Sequence, residues 1–212
     1  MRTVEEHQAV VNALLRALPE ETVPVAAAHG RVLARDVAAA VALPGFDNSA
    51  MDGYAARWAE VADVPVTLPV ADDIPAGRID VVPLAPGTVQ RIMTGAPLPA
   101  GADVVIPVEL TDAGTDVVEI RDSPAAGTHL RAAGEDIAEG AVALEAGSPL
   151  GAAQLGLAAA VGVTTLPVRR KPRVLILSTG SELVAAGQPL LPGQIYESNA
   201  QLLVAAVEDA GG

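Results

Sequence analysis

Only four aromatic side chains occur in 212 residues: one Phe, one Trp and two Tyr. Half of the residues are nonetheless hydrophobic, so any core must be assembled from many small aliphatic contacts, each buried methylene contributing about 0.8 kcal/mol. The position of the few rings therefore carries information. Phe46, Tyr54 and Trp58 cluster around the string Leu43-Pro-Gly-Phe-Asp-Asn-Ser-Ala-Met-Asp-Gly-Tyr-Ala55, and Tyr196 lies in a second polar segment far downstream. Rings and carboxylates gathered in one loop mark it as a candidate site rather than as part of a core.

The length points to one or two domains. A net charge of -13 and a pI near 4.5 argue against nucleic acid or an anionic membrane as partner, because both would be repelled at long range. An anionic ligand is still compatible with this field where Arg side chains, backbone N–H groups or a bound cation act locally. The absence of cysteine removes disulfides, thiolate metal sites and thiol catalysis together. The first residues, Met1-Arg-Thr-Val-Glu-Glu-His-Gln, are acidic where a signal peptide is apolar, and no apolar run reaches spanning length. A soluble, cytoplasmic protein is the expectation.

Apolar residues at Val4, Val10, Val11, Leu14, Leu15 and Leu18 follow helical spacing, with Thr3 as N-cap and Glu6 completing a capping box. Pro19 should end this helix. An extended stretch follows over Thr22–Ala26, and Val32, Leu33 and Val37 predict a second helix over Gly30–Ala40. From Met51 to Ile137 the pattern changes to short β-branched runs, Val64–Val70, Val104–Val108 and Val117–Ile120, separated by Pro, Gly and Asp. An Ala-rich helical pattern over Leu150–Val163 and a strand over Thr164–Val168 come next, then the polar linker Arg169-Arg-Lys-Pro172.

Beyond the linker, Val174–Leu177 reads as a buried strand opening onto Ser178-Thr-Gly-Ser-Glu182, and Ser198-Asn199 caps a helix over Ala200–Ala210. The expected fold is a multi-domain α+β arrangement. A discontinuous mixed helical and strand domain (1–43 and 137–170) is interrupted by a β-rich domain (44–136), and an α/β domain begins at 171–212. A strand apolar on both faces needs neighbours on each side, so this last domain is expected to be incomplete.

Four polar constellations stand out. Asp47, Asn48, Ser49 and Asp52 place several oxygens on one turn, which suits Mg2+, although the same residues are ordinary turn formers. In Arg91-Ile-Met-Thr-Gly-Ala-Pro-Leu-Pro-Ala-Gly101, Gly95 can bring backbone N–H groups to an oxyanion beside the Thr94 hydroxyl and Arg91; taken locally, the string reads first as a plain β-turn. Arg131-Ala-Ala-Gly-Glu-Asp-Ile137 pairs acids with a nearby arginine, a pattern shared with solvated loops. Ser178, Thr179, Gly180 and Glu182 follow an apolar run, where open α/β sheets place ligands. The three histidines, His7, His29 and His129, show no metal-ligand spacing. GxxxxGK[ST], GxGxxG and GxSxG are all absent, which counts against conventional kinase, dinucleotide-dependent dehydrogenase and α/β-hydrolase chemistry.

Taken in order, LPGFDNSAMDGYA, RIMTGAPLPAGADVVIPVE, RAAGEDI, ILSTGSEL and GQIYESN resemble the molybdopterin molybdenumtransferase family, the MoeA-type enzymes to which the carboxy-terminal part of gephyrin is related. The resemblance implies that the last domain is the start of a three-layer, molybdopterin-binding α/β domain. It implies molybdate insertion into adenylylated molybdopterin with release of AMP, supported by Mg2+. It also implies an elongated homodimer, with a site between the β-rich domain of one subunit and the α/β domain of the other, and a partner enzyme supplying the adenylylated pterin.

Carried over motif by motif, the resemblance makes Asp52 and Asp136 metal-organising carboxylates, Thr94 an oxyanion donor and Glu182 a substrate-side contact. Asp47, Asn48, Ser49, Arg91, Gly95, Arg131, Ser178, Thr179 and Gly180 fall in the same motifs as candidate substrate-binding positions. The family continues past the position of Gly212, so the 212-residue chain alone is expected to lack turnover. The competing expectation is a non-catalytic scaffold or dimerisation module of the same family.

Overall fold

The computed structural model describes residues 2–212. In chain order its elements are α1 (Val4–Leu14), β1 (Glu20–Pro24), β2 (Val37–Ala38), β3 (Asn48–Ser49), β4 (Gly53–Ala56), α2 (Trp58–Val61), β5 (Val66–Ile74), β6 (Val89–Ile92), β7 (Val104–Pro107), β8 (Val117–Ile120), β9 (Leu130–Arg131), β10 (Val142–Leu144), α3 (Ala152–Ala160), β11 (Thr165–Arg169), β12 (Leu183–Val184), β13 (Ile195–Tyr196) and α4 (Asn199–Asp209). Single 3-10 turns follow β1 and β7. The fold is mixed α+β, and the chain divides into a discontinuous unit, residues 1–37 with 142–212, and a unit inserted into it, residues 38–141.

The inserted unit is built on a five-stranded mixed sheet, ordered β7-β4-β6-β5-β8. Strand β4 pairs antiparallel with both β6 and β7. The first half of β5 pairs antiparallel with β8 and its second half runs parallel to β6, with a bulge between Val70 and Asp72. Period-two alternation sends Tyr54, Ala56, Val89, Val104 and Ile106 into one buried cluster, and Ala55, Ile92 and Val105 into a second on the opposite face. Both faces are covered, which is why β4 and β7 are buried along their whole length. The Tyr54 ring is fully buried, and its hydroxyl donates to the Gly114 carbonyl at 2.9 Å.

In the discontinuous unit β1 and β11 pair antiparallel, and Leu33, Leu144, Leu150, Ala158, Leu166 and Val168 form the core beneath α3. Helix α1 carries the capping box read from sequence: the Thr3 hydroxyl accepts the Glu6 N–H at 3.2 Å and Glu6 accepts the Thr3 N–H at 2.9 Å. It stops at Leu14, well before Pro19, and buries no residue.

Two expectations are corrected. Residues 30–40 form no helix. Leu33 N–H donates to Ser148, Ala34 N–H to Pro167 and Ala39 N–H to Ala141, so the backbone pairs with distant segments instead of with itself. Non-local pairing overrides a helical pattern that rested on three aliphatic positions. Val174–Leu177 likewise is not a buried strand: Val174, Leu175 and Leu177 are exposed, and no strand among the described residues pairs with the segment.

Candidate functional site

The inserted unit collects three of the four polar constellations. Asp52 directly precedes β4, and its carbonyl accepts the Val108 N–H at 3.0 Å, anchoring it to the end of β7. One carboxylate oxygen, Oδ1, accepts both the Thr94 N–H and the Thr94 hydroxyl, each at 2.7 Å. These two donors, the backbone one first, hold the Asp52 carboxyl below the usual aspartate range, with a smaller contribution from Arg91. The pair lies at the protein surface, and Oδ2 of Asp52 receives no protein hydrogen bond among the described residues.

The turn bearing Thr94 docks on β3. Gly95 N–H donates to Ser49 O at 2.8 Å, Ser49 N–H to Ala96 O at 3.1 Å, and Leu98 N–H to Asp47 O at 3.0 Å. Gly95 sits at φ +77, a conformation glycine adopts without the Cβ penalty. Asn48 and Ser49 are buried: the Asn48 amide donates to Phe46 O at 3.0 Å and the Ser49 hydroxyl to Met51 O at 2.6 Å. Both side chains, candidate substrate-binding positions by sequence, also shape the turn.

The loop bearing Asp136 joins from the other side. Strand β9 pairs with β3, setting Arg131 opposite Asn48, and the Arg131 guanidinium donates to Asp136 Oδ2 at 2.5 Å. Asp47 Oδ1 accepts the Ala133 N–H at 2.7 Å. A cleft of about 500 Å³ opens here, lined by Asp47, Arg131 and Glu135 with Leu98, Gly101 and Leu130 among the remainder. Arg91 stands opposite Tyr54 on the sheet and lines a separate groove with Asp72, Asp73 and Thr115, its charge still reaching Asp52.

Ser178, Thr179, Gly180 and Glu182 lie in the discontinuous unit. The Glu182 carboxylate folds back over Gly180, where an added Cβ would stand 2.6 Å from it. The Ser178 hydroxyl donates to Glu197 Oε1 at 2.8 Å, and the same oxygen accepts the Ala200 N–H at 2.8 Å at the start of α4. Sequence reading did not single out Glu197; an acidic residue three positions ahead of a helical N–H was the available signal. These donors, the Ala200 N–H before the Ser178 hydroxyl, lower its carboxyl below the usual range.

A family model described as the MoeA N-terminal region (domain I and II) matches residues 2–162. The chain belongs to the MoeA family. Molybdopterin molybdenumtransferase 2 of Mycobacterium tuberculosis (strain CDC 1551 / Oshkosh) is 54% identical over 215 residues, spanning 100% of this chain and 53% of that protein. Molybdopterin molybdenumtransferase 1 of the same strain is 38% identical over 229 residues, spanning 99% of this chain and 54% of that protein. The crystal structure of the molybdopterin biosynthesis moeA protein from Pyrococcus horikoshii OT3 matches with a TM-score of 0.83 at 33% identity, over 92% of this chain and 53% of that one. This MoeA-family chain thus spans about half the length of the curated relatives it matches.

No group of three or more His, Cys, Asp or Glu suited to a metal gathers among the described residues. Asp52 and Asp136 nevertheless each keep one carboxylate oxygen without a protein donor. Each is singly a hard oxygen donor of the kind Mg2+ takes, one or two carboxylates with water and ligand oxygens completing its shell. No helix is long and apolar enough to cross a membrane among the described residues.

Proposed function

We propose that this chain carries one portion of the site that inserts molybdate into adenylylated molybdopterin, releasing AMP, in molybdenum cofactor biosynthesis. Membership of the MoeA family supports the pathway, and one observation carries the assignment of the site: Asp52 and Thr94, 42 residues apart, meet through two hydrogen bonds on one carboxylate oxygen. In this reading Asp52 and Asp136 hold Mg2+. Bound there, Mg2+ would supply charge neutralisation for two anionic reactants.

The chain's own residues then divide the remaining work. Asp52 stays ionised because Thr94 donates to it twice. Thr94 keeps its hydroxyl at the rim of the site, where a shift of that donor from carboxylate to substrate oxygen stabilises developing negative charge. Arg131 balances Asp136 and adds positive charge beside the cleft. Glu182 contributes a substrate contact. The protein works as a cytoplasmic homodimer and takes its adenylylated substrate from the enzyme that makes it.

The test is AMP release by the full-length gene product carrying this chain, supplied with adenylylated molybdopterin, molybdate and Mg2+. Asp52→Asn should lower the rate at least tenfold; an unchanged rate removes Asp52 from the chemistry. A wild-type protein that dimerises yet releases no AMP supports the scaffold alternative instead.

A further inference from the structure

Every backbone N–H from Ala132 to Ile137 has an acceptor. Ala132 N–H goes to Glu135 Oε2 and Ala133 N–H to Asp47 Oδ1. Gly134 donates to Pro44 O, Glu135 to Ala132 O, and both Asp136 and Ile137 to Leu43 O. Four of the six N–H groups thus fasten the loop to the 43–47 segment and two close within it, and only one of these acceptors is a side chain from outside the loop. That side chain, Asp47, reaches across 86 positions of sequence. Its own carbonyl meanwhile accepts Leu98 N–H, at the end of the turn that carries Thr94.

We propose that Asp47 is a positioning residue: its carboxylate holds the Asp136 loop at Ala133 while its backbone holds the Thr94 turn at Leu98, so that one residue links the two reactive segments beside the backbone bonds from Leu43, Pro44 and Ser49. This rests on the functional reading above, and it gives Asp47 a different role from the substrate contact expected from sequence. The bond is charge-assisted and therefore stronger than one to a neutral acceptor. It satisfies an N–H that otherwise has only solvent to pair with. Asp136 is the group through which Asp47 acts, since a loop displaced by even an ångström carries its carboxylate out of place.

The rival is a direct contact between Asp47 and a ligand in the cleft it lines, and a two-arm experiment separates the two. In the first arm, amide hydrogen exchange is followed in the 212-residue chain for wild type, Asp47→Ala and Asp47→Asn. Asp47→Ala should raise exchange at Ala133 and Gly134 about tenfold and leave Leu98 unchanged, while Asn, which keeps an acceptor oxygen, restores most of the protection. Unchanged exchange at Ala133 in Asp47→Ala overturns the proposal.

In the second arm, AMP release is measured on the full-length gene product. Asp47→Ala should lower kcat about tenfold with KM held within about twofold, and should add less than about twofold to the loss in Asp136→Asn. Losses that multiply, or a KM that rises with kcat unchanged, make Asp47 a ligand contact and also overturn it. If wild type releases no AMP, the functional reading fails separately, and Asp47's hold on the loop is decided by the exchange arm alone.

Discussion

Gly53 lies between Asp52 and the buried Tyr54, opposite Pro107 of β7. A Cβ built there would stand 1.9 Å from the Ile106 carbonyl oxygen and 2.8 Å from its carbon. A carbon–oxygen contact needs roughly 3.3 Å, so Gly53→Ala must push the paired strands apart by over an ångström. The neighbour is backbone in a register-locked pair, Tyr54 opposite Ile106 and Gly53 opposite Pro107, and no rotamer change relieves it. Overpacking costs about 1–3 kcal/mol, and each backbone bond given up at this end, the Val108 N–H to Asp52 O bond among them, adds about 1 kcal/mol. The expected loss is about 3–4 kcal/mol, which in a domain of this size lowers Tm by roughly 15 °C. Gly95→Ala is the matched control: its Cβ meets nothing within 4 Å and its cost is the positive φ alone, about 1 kcal/mol. Urea unfolding followed by fluorescence of Trp58, the chain's one tryptophan and a residue of the inserted unit, reads both variants. A Gly53→Ala loss below about 1 kcal/mol, or no larger than that of Gly95→Ala, would refute the steric reasoning.

Three further outcomes follow from the same geometry. Thr94→Val removes one of the two donors to Asp52 and should raise its carboxyl pKa toward the ordinary aspartate range, read by NMR titration. Because the folded-state pKa is depressed, the stabilisation by Thr94 is present above the unfolded-state value and disappears as pH falls through the folded one, so acid unfolding of the variant should begin at higher pH. Tyr54→Phe leaves the Gly114 carbonyl without its donor and should cost about 1–2 kcal/mol in urea unfolding, with no loss expected if that carbonyl is freely hydrated. Helix α1 buries nothing, so in the 212-residue chain its amides should exchange far faster than those of β4, and Thr3→Ala should reduce α1 helicity without moving the main unfolding transition.

Local chemistry is what this chain makes legible. Thr3 and Glu6 announce their cap because both partners lie within one turn. The run at Val104 becomes a strand because an unbroken apolar stretch suits a sheet covered on both faces, and the Val117 run becomes one by burying Val118 and Ile120. Residues 30–40 mislead, since their hydrogen-bond partners are found near 148, 167 and 141, and no local pattern encodes such distant acceptors. The site follows the same rule. Its motifs are recognisable one by one, but the convergence of Asp52 on Thr94, of Asp47 on Ala133 and of Asn48 on Arg131 depends on strand pairing across 42 to 86 positions. Spacing suggests Arg91 as a nearby charge for Thr94; its side chain lines the groove with Asp72 and Asp73 while its charge still acts at Asp52.

The place where the inserted unit begins and ends has a consequence for how the molecule assembles. Ala39 N–H bonds to Ala141 O at 2.8 Å and Gly140 N–H to Ala39 O at 2.9 Å, so the first and last residues of the insert are held side by side by its own fold. For the surrounding unit, those hundred or so residues act as a loop whose closure from an unfolded chain costs about 4 kcal/mol in entropy. Once the insert has folded, that closure is already made and the two outer segments begin as near neighbours. The fold of the insert thus carries a closure cost that the outer segments would otherwise bear themselves.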